Sequence, residues 1–149
     1  MLLKVEQRSV ATNLLRRFIW ADRMRQQYEE VHPRVVAPLK ERQSNNEFGF
    51  VSDVLDEEMY LFLWLSLLAT VIEGWPSLKT IDQELTSLLR SPYKNMLRDF
   101  RNATFHPKDH DDERIRTLVD EGQASIDWAR QVTEAFRTFF KAFLETDDL

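Results

Sequence analysis

Apolar residues keep to one helical face along almost the whole chain. In the first segment Leu3, Val10, Leu14, Phe18, Ala21 and Tyr28 recur at roughly 3.5-residue spacing, with Lys, Arg and Glu between them. The pattern predicts a first helix over about residues 2–30. His32-Pro33 is expected to end it, because the residue before a proline is pushed out of the α region. Residues 31–51 hold two prolines, Ser44-Asn45-Asn46 and Gly49, and read as a long polar connection whose role is open.

Later elements carry clearer punctuation. Ser52 or Asp53 can cap a second helix that runs to Glu73. Gly74 is expected in the left-handed position after it, with Trp75-Pro76 blocking continuation. Thr80 with Gln83 forms a capping box for a short third helix ending near Arg90. Ser91-Pro92 opens a fourth, cap followed by proline, and His106-Pro107 closes it. The acids Asp109, Asp111, Asp112 and Glu113 suit the start of the last helical segment through the helix dipole. From there Ile115, Leu118, Ile126, Ala129, Val132, Phe136, Phe139 and Phe143 hold one face, with a break expected at Gly122. No alternating strand pattern competes. The fold class is therefore all-α, an up-and-down bundle of four to five helices in a single domain over residues 1–149, without internal repeat.

Composition narrows this further. A length of 149 residues suits one core, and three glycines with five prolines exclude collagen-like and low-complexity chains. Ten Phe, four Trp and three Tyr supply bulk for that core, and Trp20, Trp64, Trp75 and Trp128 are most simply core residues; Trp75, beside a chain break, is the one allowed a surface role. The longest uncharged run, Met59–Ile72, is shorter than the about 20 residues of a spanning helix, so it reads as the central buried helix. Phe136, Phe139 and Phe143 are expected against it or against the first helix. Met1–Lys4 opens into a charged amphipathic stretch rather than a leader, so a soluble, cytoplasmic protein is expected. Without cysteine there is no disulfide, thiolate nucleophile or cysteine-ligated metal. A net charge of −5 argues against coating nucleic acid through bulk charge.

Candidate chemistry gathers in Arg90–Asp112. On a wheel at about 100° per residue, Tyr93, Leu97, Phe100 and Thr104 share a face, with Met96 and Ala103 beside them. Lys94, Arg98 and Arg101 lie opposite, with Asn102 next to them. Between residues 90 and 101 there are four basic side chains and one acid, Asp99. Such a stripe can hold phosphate, since arginine grips two oxygens at once; a solvated helix face is the plainer reading. Arg101, Asn102 and His106 form R-N-x-x-x-H. Arg101 and His106 would stand about 140° apart on an unbroken helix, but Pro107 frees His106 from α geometry, so its ring can turn towards Arg101. His106 capping the fourth helix, and Arg101 paired with Glu73 for structure alone, are the competing readings. His106-x-x-x-His110 with Asp109, Asp111 and Asp112 has metal-like spacing, yet Pro107 interrupts the helix that would align the two rings, so no metal site is assigned.

At these residues the chain resembles the HEPN superfamily, helical bundles of about this size with R-N-x-x-x-H at the end of a late helix. Leu97–His106, LRDFRNATFH, looks like the form taken in bacterial HEPN-like proteins, and Glu73-Gly74-Trp75 matches an upstream helix end that often accompanies it. The likeness covers about residues 53–145. It implies a metal-independent endoribonuclease without cofactor, acting as a toxin or defence effector, with an antitoxin or regulatory protein as partner. In divergent members it implies a non-catalytic module that binds nucleotide, RNA or protein; a purely structural helical dimer is a third possibility. Carried across residue by residue, His106 is the general acid or base, Arg101 stabilises charge on the scissile phosphate, and Asn102 orients His106 or the substrate. Glu73 holds the arginine, and Lys94, Arg98 and Lys108 contact RNA. Such sites are commonly composite, which implies a homodimer. Some members carry a tyrosine two residues after the histidine; this chain has Lys108 there, which puts regulation through that residue in doubt.

Overall fold

The computed structural model describes residues 5–38, 48–108 and 111–146. All regular structure among them is helical: α1 (Val5–Val36), α2 (Gly49–Gly74), a 3-10 turn (Trp75–Leu78), α3 (Gln83–Leu88), α4 (Tyr93–Phe105), α5 (Glu113–Asp120) and α6 (Gln123–Thr146). The all-α class holds; the short third helix is present as expected, and the described residues form six helices rather than four to five because the last segment divides in two. Gly122 divides it, at φ 60° in the left-handed region, where glycine alone pays no Cβ penalty.

α1 and α2 form an antiparallel pair, with His32 against Glu57, Tyr28 against Trp64 and Leu14 against Gly74. α6 runs antiparallel to α1 on its other flank, through Phe18 on Phe136 and Phe140, Arg137 on Asp22, and Arg130 on Glu29. The core lies between these three and α4, with Trp64, Leu68, Val71, Phe100, Val132 and Phe136 removed from water. Full burial of such a side chain contributes about 1.5–3 kcal/mol. Trp64 and Thr133 are matched there, the Trp64 Nε1–H donating to Thr133 Oγ1 at 3.2 Å and that hydroxyl to the Ala129 carbonyl at 2.7 Å, whereas the buried Ser66 hydroxyl has no protein partner among the described residues.

Several boundaries differ from the sequence expectation. α1 does not stop at His32-Pro33 but continues to Val36. Val31 is buried, His32 stacks on Tyr28 at 5.2 Å and bonds Glu57 at 3.2 Å, and this packing holds the last turn helical despite the proline. α2 starts at Gly49, ahead of Ser52 and Asp53. Gly74 is not left-handed: it keeps helical dihedrals (φ −78°, ψ −20°), and the left-handed residue is Lys79 at φ 50°. Gly74 matters for a different reason: a Cβ there would meet the tip of the buried Leu14 side chain of α1, which would have to shift. Asp82, not Thr80, caps α3, accepting from the Leu85 amide at 2.9 Å.

The buried part of α2 begins at Trp64; Met59 is 45% exposed, so the uncharged run is only half enclosed. Gly49–Leu78 is long and apolar enough to cross a membrane by length and composition, and half of its most apolar window is buried inside the protein. Trp64, Trp75 and Trp128 are core residues, but Trp20 is 50% exposed, because the inward face of α1 is already filled by Leu14, Phe18 and Ala21.

Candidate functional site

α4 is positioned by its apolar face. Leu97, Phe100 and Ala103 are buried, and Phe100 meets Phe62 of α2 edge-on at 4.8 Å. The Ser91 hydroxyl accepts from the Tyr93 amide at 3.2 Å, and α4 begins at Tyr93 with Pro92 in the cap position, one residue later than the expected cap-then-proline start. At the other end His106 leaves the helix (φ −129°, ψ 67°), the conformation that a following proline favours.

On the opposite face Lys94 and Arg98 are exposed, and Arg98 lies 3.4 Å from its neighbour Asp99. Arg101 behaves differently. Its Nη1 pairs with Glu73 at the end of α2, while Nε and Nη2 donate to the Asn102 amide oxygen at 3.2 and 2.8 Å. The guanidinium is thus held on both edges, with the Arg101 side chain 22% and Glu73 41% exposed. Glu73, Arg101 and Asn102 form one cluster. Because the Asn102 oxygen faces the arginine, its NH2 group is left for another acceptor.

His106 is fixed by its backbone. Its amide donates to the Asn102 carbonyl at 2.9 Å, and its carbonyl accepts from Arg114 at 3.3 Å. The imidazole is exposed and makes no hydrogen bond among the described residues. Arg114 is in turn clamped by Asp112, through Nε to Oδ1 at 3.0 Å and Nη2 to Oδ2 at 2.6 Å. Asp112 also caps α5 by accepting from the Arg114 amide at 3.0 Å. The Arg114 side-chain hydrogen bonds hold the Asp112 carboxyl well below the usual carboxylate range, at about 2. The sequence pattern suggests Asp112 as a dipole partner and as part of a metal-like spacing but does not single out Arg114; the signal available is an aspartate two residues before an arginine at a helix start.

A cleft of about 280 Å³ opens on the flank of α4 that carries Ala103, lined also by Phe62, Pro107, Lys108 and Asp112. Lys108 is the sequence-predicted RNA contact that borders it, while Arg101 sits against Glu73 instead. Asp109 and His110, needed for the metal-like spacing, lie outside the described residues, as do Leu3 of the first helix and Ser44-Asn45-Asn46 of the long connection. No family model, curated protein or solved structure matches the chain.

Proposed function

We propose that the protein is a metal-independent endoribonuclease of HEPN type, working in the cytoplasm as a toxin or defence effector under an antitoxin or regulatory partner. The observation that carries the reading is the end of α4, where Glu73, Arg101 and Asn102 are bonded together and His106 is anchored by its backbone with its ring uncommitted. An uncommitted imidazole on an anchored backbone suits proton transfer, because one ring nitrogen can take a proton while the other gives one. Arginine suits the phosphate because its fork meets two oxygens.

In this mechanism the ribose 2′-hydroxyl attacks the adjacent phosphorus. The O2′–P bond forms and the P–O5′ bond breaks. His106 of one copy takes the 2′ proton, and His106 of a second copy returns one to the leaving 5′ oxygen. The products are a 2′,3′-cyclic phosphate and a 5′-hydroxyl. A twofold dimer supplies both proton-transfer groups from a chain with one candidate histidine. Arg101 stabilises charge on the phosphate oxygens, Glu73 keeps its fork aimed, and Lys94, Arg98 and Lys108 attract the backbone.

Incubation of total RNA with the protein in EDTA tests the reading. Wild type is expected to cut and His106→Ala to be slower by at least ~100-fold with an unchanged fold. Arg101→Lys is expected to be poor as well, because lysine lacks the fork. Cutting that persists in His106→Ala, or that EDTA abolishes, overturns the mechanism. RNA binding by a wild-type dimer without cutting favours the binding-module reading.

A further inference from the structure

The outward face of α1 collects groups that the candidate site does not use. Trp20 is 50% and Ile19 43% exposed, and Arg16, Arg17 and Arg23 are exposed beside them. Trp20 follows Arg16 by four residues and Arg17 by three, and precedes Arg23 by three, so all four share one surface of the helix. None of these three arginines makes an ion pair among the described residues. That is unusual in a chain where 25 acids face 20 bases. Other arginines nearby are matched: Arg25 and Arg137 on Asp22, and Arg130 on Glu29 and Asp127. Asp22 is the one carboxylate between Gln7 and Tyr28, and it is already committed. A cleft of about 500 Å³ adjoins the face, with Phe18 in its lining and Ile19, Arg23 and Gln27 around it.

We propose that this face docks single-stranded RNA, with a base stacked on the Trp20 indole and phosphates held by Arg16, Arg17 and Arg23. The proposal deepens the ribonuclease reading and rests on it for the choice of polymer. A half-exposed indole ringed by unpaired guanidiniums matches a chain that alternates planar bases with phosphates, because every base has a face to stack and every phosphate takes an arginine fork. Unstacked bases are required, which favours single strands over duplex. A membrane surface fits less well. A helix lying on lipid turns its apolar stripe outward, whereas α1 spends Leu14, Phe18, Ala21 and Tyr28 on the core.

The test is fluorescence anisotropy of the full chain carrying His106→Ala, to prevent cutting, with a labelled single-stranded RNA of about 12 nucleotides, within the usual single-strand site sizes. Trp20→Ala is expected to weaken binding by at least ~5-fold, and Trp20→Phe to restore most of it, because stacking is what the ring supplies. Arg16→Gln, Arg17→Gln and Arg23→Gln together are expected to weaken binding and flatten its salt dependence, since fewer counterions are released. Unchanged affinity in both the Trp20→Ala and triple-arginine variants overturns the proposal. So does binding to phosphatidylserine vesicles but not to RNA. Unchanged binding alongside His106-dependent cleavage removes the surface and leaves the ribonuclease. Binding that depends on Trp20, in a wild type that never cuts, removes the ribonuclease and leaves the surface.

Discussion

The chain contains two His-Pro pairs, His32-Pro33 near the end of α1 and His106-Pro107 after α4, and they meet opposite fates. Both should leave the helix by the same local rule, since proline crowds the residue before it and lacks the N–H that would bond four residues back. His106 does leave, at φ −129° and ψ 67°. α1 instead carries through Pro33 to Val36. What differs is the neighbourhood. His32 is stacked on Tyr28 and bonded to Glu57, Val31 is buried beside it, and Arg34 reaches Asp53 at 4.0 Å. Among the described residues the hold on His106 is on its backbone alone, from Asn102 and Arg114, and the ring stays exposed. One histidine is spent on packing and the other is kept free. A local helix-breaking rule of a few kcal/mol yields where tertiary contacts outweigh it.

Exchanging the two histidines for alanine is the sharpest way to break this comparison. His106→Ala is expected to cost at least ~100-fold in RNA cleavage with little change in melting temperature. His32→Ala should do the reverse, leaving cleavage within about twofold while lowering stability by ~1 kcal/mol, the scale of a lost stacked and hydrogen-bonded ring. Equal losses of cleavage in both would remove the functional distinction. Next in size are the prolines. Pro33→Ala should raise stability by about 1–3 kcal/mol in a urea titration, because the helix already runs through that position and regains a bond. Pro107→Ala should change it by less than ~0.5 kcal/mol, as exposed positions usually do.

Acid probes the hold on His106. The Asp112 carboxyl sits at about 2 in the folded protein against an ordinary 3.8, so its contribution is complete above about pH 4 and is lost as pH falls towards 2. Asp112→Asn should therefore melt lower than wild type at pH 7, and the gap should close across that acidic window. A gap that is constant with pH would show that the carboxylate's charge is not what matters. The smallest effect is expected at Glu57, which is partly exposed: Glu57→Gln should cost no more than ~1 kcal/mol and shorten α1 at its last turn, visible as a small loss of helical circular dichroism.

Much of the molecule was legible in one dimension. The 3.6-residue period of Leu14, Phe18, Leu97, Phe100, Val132 and Phe136 determined both the all-α class and which faces turn inward, because that period follows from helix geometry alone. Short-range chemistry likewise determined the break at Gly122, the start of α4 just after Ser91-Pro92 and the exit at His106-Pro107. Contacts between distant parts of the chain decided the rest. Only the packing of α1 on α2 shows that Gly74 matters for space rather than for a left-handed turn, and that Pro33 can stay in a helix. Trp20 looks like core by residue type, but it faces water because its helix had already filled its inner face. Glu73 and Arg101 are separated by a turn and a short helix, and the Asp112–Arg114 pair at the start of α5 reaches back to the end of α4 at His106. Spacing in sequence encodes direction around one helix; it does not encode which helix end arrives opposite another, and at this site that arrival decides what each side chain can reach.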